Sequence, residues 1–286
     1  MTKFTKTIED FSIEAIAESG QCFRIVPSDD GGYYVNAFGR VLKVKNTGEG
    51  NENTGGHESN GGCYEFSCGE EEFTKVWKDY FDLDTDYGAY RSLALPCDEY
   101  LKTAIAFGSG IRMLRQDPWE MLISFIISQR KSVPAIRTSV ERLSENFGHR
   151  IETDFAPAFC SFPEAEALAK ADTETLASCG LGYRIDYVRD TARMVCDGEL
   201  DLAALNKLET PALIEELMKI KGVGIKVASC VALFGCHRLD TVPVDVWMKR
   251  VIDTVYHGSL PEEYRPYAGV LQQYMFNYAR LNKVGI

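Results

Sequence analysis

The chain has 286 residues, of which 45% are hydrophobic and 26% are charged, and its formal net charge is −11 at pH 7. This composition is typical of a globular protein of one large or two smaller domains, and it excludes a wholly disordered, collagen-like or coiled-coil chain. Charged residues or glycines interrupt every apolar stretch before the roughly 18 residues of a membrane-spanning helix, and the N-terminus lacks the apolar core of a signal peptide. The nine cysteines are odd in number and irregularly spaced, as reduced thiols are. We therefore expect a cytoplasmic protein without a membrane partner.

The acidic residues are concentrated in the first third of the chain. Residues 1–100 contain 9 Lys/Arg and 19 Asp/Glu, whereas the rest contains 22 and 23. The net charge alone argues against a nucleic-acid partner. The balanced remainder can nevertheless bind phosphates locally, through backbone amides and a few lysines.

Four short segments in the first third predict β-strands, because they are rich in β-branched and aromatic residues and are separated by turn signals. They are QCFRIVP, GYYVNAF, RVLKVKN and CYEFSC. The polar segment 47–62 predicts a flexible hairpin loop. The following segment EEEFTKVWKDYFDL has helical periodicity, with one apolar face made of Phe73, Val76, Trp77, Tyr80 and Phe81.

After Pro96 the pattern is helical to the end of the chain. The periodicity and the breaking residues predict helices at 117–128, 134–147, 163–170, 173–179, 183–197, 211–219, 225–235, 246–256 and 263–281. The fold class is therefore α+β, with an N-terminal antiparallel twisted sheet domain at 1–97 and a predominantly helical domain at 98–286. The helical domain carries a helix-hairpin-helix candidate at 211–235.

The turn of this hairpin is a candidate phosphate-binding site. It reads Gly222-Val223-Gly224, and Lys221 and Lys226 flank it. The second helix begins at Gly224, so its free N–H groups form an anion site. The sequence GVGIK does not match a P-loop, and the preceding helix argues against a dinucleotide fingerprint. A grip on one nucleic-acid strand and an ordinary helix–helix turn both remain open.

Asp245 also has two interpretations. It follows Val-Pro-Val and precedes a predicted helix, which is the usual position of an N-cap. It also lies 19 residues after Lys226 on the next helix, so the carboxylate and the amine could face one cleft.

These residues resemble a known signature. GVGIKVA followed by VPVD is similar to the motif of the helix-hairpin-helix DNA glycosylases, whose bifunctional members have a lysine and an aspartate at these two places. The resemblance implies that Lys226 is the nucleophile and Asp245 the essential carboxylate. The iron–sulfur branch carries four cysteines after the aspartate, and this chain has none after Cys236.

Four further segments resemble the 8-oxoguanine DNA glycosylases, in the order of that family. They are SGQCFR at 19–24, GIRMLRQDPWEMLISFI at 110–126, GLGYR at 180–184 and PYAGVLQQYMF at 266–276. The family resemblance implies two helical lobes with the active-site cleft between them. It also implies excision of 8-oxoguanine by lysine attack at C1′, followed by strand cleavage through a Schiff base.

The resemblance implies roles for four base-contacting residues. The carbonyl of Gly20 accepts the N7 hydrogen that distinguishes 8-oxoguanine from guanine, and Gln272 contacts the Watson–Crick edge. Phe276 stacks on the flipped base and Cys230 lies on its opposite face. Without the family, Gly20 would be a strand-start glycine, and Phe276 and Cys230 would be core residues.

The predicted DNA-binding residues match the family less completely than the base-contacting residues do. Tyr183 and Arg184 match the pair that wedges into the duplex and contacts the orphaned cytosine, and Lys221, Gly222, Val223 and Gly224 would hold the backbone. Arg130 stands where the family has an asparagine, Ala135 where eukaryotic members have an arginine, and Trp247 where they have a histidine. With fewer donors aimed at the opposite base, we expect a weaker preference for cytosine than in eukaryotic relatives.

The predicted partner is duplex DNA that contains 8-oxoguanine, and we expect a monomer of bacterial type that acts in the cytoplasm at the nucleoid. No metal ligands, redox cofactor or iron–sulfur cluster are expected, although the hairpin carbonyls could hold a cation. Three alternatives stay open: a non-catalytic DNA-binding module, a glycosylase of the same superfamily for another damaged base, and a metabolic enzyme with a small-molecule pocket.

Overall fold

A computed structural model describes residues 2–48 and 61–283. Most of the predicted loop at 47–62 lies outside the described residues. The first half of the molecule contains a five-stranded antiparallel sheet with the strand order β1-β5-β4-β3-β2. Its strands are β1 (Phe4–Ile8), β2 (Ile25–Pro27), β3 (Tyr33–Ala37), β4 (Arg40–Asn46) and β5 (Gly62–Phe66).

Fifteen α-helices are found in the described part of the chain. They are α1 (Ile13–Glu18), α2 (Glu70–Glu72), α3 (Lys78–Tyr80), α4 (Tyr87–Arg91), α5 (Glu99–Phe107), α6 (Pro118–Ser128), α7 (Val133–Phe147), α8 (Ala165–Lys170), α9 (Thr173–Ser178), α10 (Ile185–Cys196), α11 (Leu202–Leu205), α12 (Thr210–Met218), α13 (Ile225–Phe234), α14 (Val246–Thr254) and α15 (Ala268–Asn282). A π-helical segment at Phe73–Trp77 joins α2 to α3, and 3-10 turns at Gly182–Arg184 and Glu262–Tyr267 precede α10 and α15. None of the described helices combines the length and the apolarity that crossing a bilayer requires.

The sheet covers the first of three hydrophobic clusters. The predicted apolar face of segment 70–83 packs there, with Phe73, Trp77, Tyr80 and Phe81 buried against the sheet and α1. Val76 packs at the edge of this cluster. The prediction of an antiparallel sheet followed by helices is confirmed.

Strand β2 is shorter than the segment QCFRIVP that predicted it. The side chain of Gln21 bonds to the backbone of another segment instead, donating to Arg112 O at 2.9 Å and accepting from Leu114 N at 2.8 Å. These long-range bonds tie Gln21 to the segment before α6, whereas the carbonyl of Arg24 still accepts a hydrogen bond from Asn36 N on β3 at 3.0 Å.

The expectation of helix alone after Pro96 is wrong at one place. A short antiparallel pair joins β6 (Arg150–Ile151) to β7 (Phe159–Cys160). This hairpin docks on the large sheet, because Asn36 Nδ2 donates to Cys160 O at 2.9 Å and the rings of Tyr34 and Phe159 lie 5.5 Å apart. The docking contacts join distant parts of the chain, so no local sequence pattern predicted them.

The helical half contains the other two clusters. Helices α6 and α13 are buried on nearly all sides at the centre of the second cluster, where Phe125 and Phe234 stack with centroids 5.5 Å apart. The third cluster is formed by α5, α14 and α15. The candidate site lies where α13 faces α15, between these two clusters.

Candidate active site

The hairpin has the geometry that the sequence predicts. Residues 219–224 join α12 to α13, and Gly222 has φ +85°. A Cβ at Gly222 would lie 2.4 Å from Cδ2 of Tyr187, so the turn requires glycine. Gly224 precedes α13 without a side-chain cap, and the following Ile225 is 60% exposed. The first N–H groups of α13 are therefore open to an anion.

Lys226 lies in the first turn of α13, with its side chain directed into the protein. Its Nζ is 5.3 Å from the ring centroid of Phe125, and Cys230, one turn later on the same helix, lines the same cavity. Burial raises the pKa of the Cys230 thiol to about 11, so the sulfur is a neutral thiol at pH 7. The thiol is therefore not a ready nucleophile at this pH, and the role of Lys226 as the nucleophile stays a prediction.

Asp245 is both an N-cap and a component of the site. Its Oδ1 accepts from Trp247 N at 3.0 Å and from Met248 N at 2.9 Å, which caps α14. Burial raises the pKa of this carboxyl group, although these two N–H groups and the charge of Lys226 act in the opposite direction. The Oδ2 atom accepts no hydrogen bond from the described residues, so it is free for a substrate.

One cavity of about 120 Å³ brings together all six residues predicted for catalysis and base contact. They are Gly20, Lys226, Cys230, Asp245, Gln272 and Phe276. The other walls are mainly apolar and include Phe23, Phe125, Val133, Ile136, Phe234 and Pro243. An apolar cavity with a few convergent polar groups is typical of a site for a planar organic ligand.

Gln272 and Phe276 share a face of α15 that borders this cavity. Gln272 is 3% exposed and its Oε1 has no hydrogen-bond partner among the described residues. Because a buried amide oxygen without a partner is costly, its position favours a ligand that donates to it. Phe276 is only partly buried and presents its ring beside Gly20.

Gly20 is required by its surroundings. It has φ +79°, and a Cβ there would lie 3.0 Å from Cε1 of Phe276. Its carbonyl accepts no hydrogen bond from the described part of the chain, and Gly20 lines the cavity. A free acceptor thus lies beside the aromatic ring on which a base would stack.

Lys131 is a cavity residue that sequence reasoning missed. Its Nζ donates to Gly180 O at 2.7 Å and to Ser139 Oγ, which fixes the turn before Tyr183. Burial lowers the pKa of this ammonium group, and the nearby Arg184 adds to the effect. Lys131 was visible beside the unusual Arg130 in SQRKSVP, but nothing in that segment indicated which of these two basic side chains turns inward.

Tyr183 and Arg184, the pair predicted to wedge into the duplex, occupy different environments. Tyr183 is 54% exposed, whereas Arg184 is only 6% exposed and donates to Leu181 O at 2.9 Å and to Gln129 O. The guanidinium carbon of Arg184 lies 4.3 Å from the ring centroid of Tyr183. In this conformation Arg184 supports Tyr183 and does not present its donors to solvent, so its contact with an orphaned base stays a prediction. Arg130 is exposed with φ +53°.

Three other predicted DNA-binding residues, Lys221, Val223 and Trp247, also lie outside the cavity. Lys221 is exposed beside the hairpin, with Nζ 3.3 Å from Asp190 Oδ2. Trp247 is half-buried in the first turn of α14, and the guanidinium carbon of Arg250 lies 5.4 Å from its ring centroid. Val223 is buried in the hairpin turn. These positions are compatible with a backbone grip around the hairpin, and the roles stay predictions.

Comparisons with known proteins agree with this geometry. Residues 3–122 match the model of the 8-oxoguanine DNA glycosylase N-terminal domain, and residues 123–264 match that of the HhH-GPD superfamily of base excision DNA repair proteins. An N-glycosylase/DNA lyase of Saccharomyces cerevisiae is 36% identical over 67% of this chain, and a probable N-glycosylase/DNA lyase of Methanothermobacter thermautotrophicus is 31% identical over 64% of it. The matches span 54% of the yeast protein and 68% of the archaeal one.

A solved structure is similar over almost the whole chain. The Clostridium acetobutylicum 8-oxoguanine glycosylase/lyase, crystallised with duplex DNA containing cytosine opposite 8-oxoguanine, is 32% identical. Its TM-score is 0.86, and the superposition covers 99% of each chain. This chain therefore belongs to the 8-oxoguanine DNA glycosylase family within the HhH-GPD superfamily of base excision DNA repair proteins.

Proposed function

We propose that this protein excises 8-oxoguanine from duplex DNA and then cleaves the strand by β-elimination. The observation that carries the proposal is that Lys226, Asp245, Gln272, Phe276 and Gly20 line one cavity. An amine and a carboxylate supply the chemistry, while an amide, a ring and a free carbonyl supply base recognition.

Binding begins with extrusion of the damaged nucleotide, because its reacting atoms are inaccessible inside a stacked duplex. The flipped base stacks on Phe276, and Gln272 bonds its Watson–Crick edge. The carbonyl of Gly20 accepts the N7–H of 8-oxoguanine. Guanine has a lone pair at N7, which the same carbonyl repels.

The unprotonated amine of Lys226 then attacks C1′ of the sugar. The bond from C1′ to the base breaks, and the base leaves with the electron pair and takes up a proton. Asp245 stabilises the positive charge that develops on the sugar ring during this step. The aminal opens to a Schiff base, loss of a proton from C2′ follows, and the 3′ phosphate leaves.

In the proposed reaction, Lys226 supplies the attacking amine and Asp245 the stabilising carboxylate. A cation at the hairpin carbonyls and a monomeric state stay predictions. The exposed N-terminus of α13 is the proposed contact with one DNA strand.

The test is a single-turnover assay on a duplex with one 8-oxoguanine opposite cytosine. The proposal predicts free 8-oxoguanine by chromatography and a strand that ends in an unsaturated aldehyde. The same duplex with guanine at that position is the control. Release of an alkylated base or of adenine from a mispair, with 8-oxoguanine left in place, would contradict the substrate. Duplex binding with no base released from any of these substrates would indicate the non-catalytic module.

A further inference from the structure

Helix α1 ends immediately before the carbonyl that is proposed to recognise the lesion. The helix spans Ile13–Glu18, Ser19 is its C-cap, and Gly20 follows in a left-handed conformation. The last carbonyls of a helix have no partner within the helix, so they must be satisfied from elsewhere. Where these partners come from decides how firmly Gly20 is held.

Three side chains each donate to one of three successive carbonyls at this helix end. Arg137 on α7 donates to Ala17 O, and Arg280 on α15 donates to Glu18 O. Gln273 on α15 donates from Nε2 to Ser19 O at 2.6 Å and is only 1% exposed. We call Arg137, Gln273 and Arg280 the carbonyl clamp.

The residues on both sides of Gly20 are thus fixed, while no described residue donates a hydrogen bond to its own carbonyl. Ser19 is held by Gln273, and the buried side chain of Gln21 bonds to Ser19 Oγ and to Arg112 O, both at 2.9 Å. Gly20 is therefore anchored at its neighbours and not through its own acceptor.

Helix α15 connects the clamp to the rest of the base-binding wall. It carries Gln273 and Arg280, which hold the end of α1, and also Gln272 and Phe276, which line the cavity together with Gln273. The guanidinium carbon of Arg280 lies 5.8 Å from the ring centroid of Phe276. One helix therefore sets the distance between the free carbonyl and the stacking ring, although their residues are more than 250 positions apart in the sequence.

We propose that Arg137, Gln273 and Arg280 are positioning residues for lesion recognition. They hold the carbonyl of Gly20 at the N7 side of the base, in register with Gln272 and Phe276. This inference rests on the proposed function. None of the three supplies the amine or the carboxylate, so strand cleavage at a site that has already lost its base does not require the clamp.

The test uses Arg280→Ala, Arg137→Ala and Gln273→Ala. Each is assayed for single-turnover excision of 8-oxoguanine opposite cytosine, and for β-elimination at a preformed abasic site in the same sequence. Because a misplacement of about 1 Å can cost on the order of 10²-fold in rate, we expect excision to fall about 10- to 100-fold. Lyase activity should change by less than about twofold. Arg280→Lys keeps a charged donor and should recover part of the excision rate.

Arg238→Ala is the matched control. Arg238 also donates to carbonyls near a helix end, at 2.6 Å to Asn206 O and 3.1 Å to Leu208 O, but it does not line the cavity. Its loss should leave the ratio of excision to lyase activity unchanged, even if the protein unfolds at a lower temperature.

Two results would overturn the inference. Equal losses of excision and lyase activity in all three clamp variants would show a purely structural role. Unchanged excision in all three would show that Gly20 is held without them. Failure of the unmodified protein to excise 8-oxoguanine, with intact lyase activity, contradicts the proposed function and is seen before any variant is made.

Discussion

The two walls of the cavity are built in opposite ways. The reaction wall consists of Lys226, Cys230 and Asp245, which lie within 20 residues of one another on the hairpin and the next helix cap. The recognition wall combines Gly20 with Gln272 and Phe276 from the far end of the chain.

This difference separates two functions that share one cavity. The chemistry depends on a local motif whose geometry the hairpin glycines and the cap of α14 impose. Recognition depends on long-range contacts between α1 and α15. Substitutions in one wall should therefore leave a measurable function of the other wall intact.

The largest effect is expected for Lys226→Gln. Loss of the attacking amine should lower both excision and abasic-site cleavage by at least about 10³-fold, because no other group in the reaction wall can form the Schiff base. Rates under single-turnover conditions with saturating enzyme provide the measurement. Lys221→Gln is the control: it should weaken DNA affinity and reduce its salt dependence, but leave the rate of the bound complex nearly unchanged. Comparable rate losses in both variants would contradict the separate roles of the two lysines.

Asp245→Asn should have the next largest effect. Asparagine keeps the cap of α14 but removes the charge that stabilises the sugar cation, so excision should fall about 10²-fold. Burial raises the pKa of Asp245, so the unmodified enzyme should lose activity on acidification at a pH above the usual range of aspartate. A pH–rate profile measures this loss of activity on acidification. If the same loss persists in Asp245→Asn, it belongs to the titration of another group.

Substitution in the recognition wall should separate excision from lyase activity. Gln272→Ala removes the buried amide that faces the base, and excision of 8-oxoguanine should fall about 10-fold. Cleavage at a preformed abasic site should stay unchanged, because that substrate has no base. Asn282→Ala on the exposed end of α15 is the control. Parallel losses of both activities in Gln272→Ala would mean that the two walls are not independent.

The opposite base should matter less than the lesion. The guanidinium group of Arg184 donates to two backbone carbonyls, and Ala135 has no side-chain hydrogen-bond donor. By the family resemblance, Trp247 stands where eukaryotic members have a histidine. We expect excision opposite adenine to be less than about a hundredfold slower than opposite cytosine. Rates on the four opposite-base duplexes test this expectation, and a larger ratio would show that Arg184 is released to read the orphaned base.

The smallest effect concerns stability. Burial of the charged form makes the pKa of Asp245 higher in the folded than in the unfolded protein. Its ionisation therefore opposes folding as the pH rises from the unfolded-state pKa through the folded-state pKa. Asp245→Asn should therefore have a higher free energy of unfolding than the unmodified protein at pH 7, and the difference should shrink towards pH 4. Urea unfolding at both pH values measures it. A variant that is less stable at pH 7 would show that the attraction of Lys226 outweighs the cost of burial.

The hairpin and the possibility that Lys226 and Asp245 face one cleft could be predicted from the residues alone, whereas their catalytic roles and the place of Cys230 came from the family resemblance. Residue content and turn signals likewise predicted four of the five strands in the large sheet, and periodicity predicted nine of the eleven α-helices that the structure describes after Pro96. Strand β1 and helices α5 and α11 were not predicted. The base-contacting residues came only from family resemblance, since Gly20 and Phe276 have no local feature that connects them.

Other features depend on contacts that no local pattern encodes. Arg184 was expected to face DNA, but its orientation depends on the carbonyl of Gln129, 55 positions away. Lys131 turns inward because Gly180 O and Ser139 Oγ accept its protons. Helix α1 is short and was not predicted, and its end is completed by side chains from α7 and α15.

Borohydride trapping tests the central claim most directly. The protein is mixed with a duplex that contains one 8-oxoguanine opposite cytosine, and covalent complexes are resolved by denaturing electrophoresis. The account predicts a trapped complex with the unmodified protein and with Lys221→Gln, and none with Lys226→Gln. A trapped complex that persists in Lys226→Gln, or that forms only on abasic-site duplex, would contradict it.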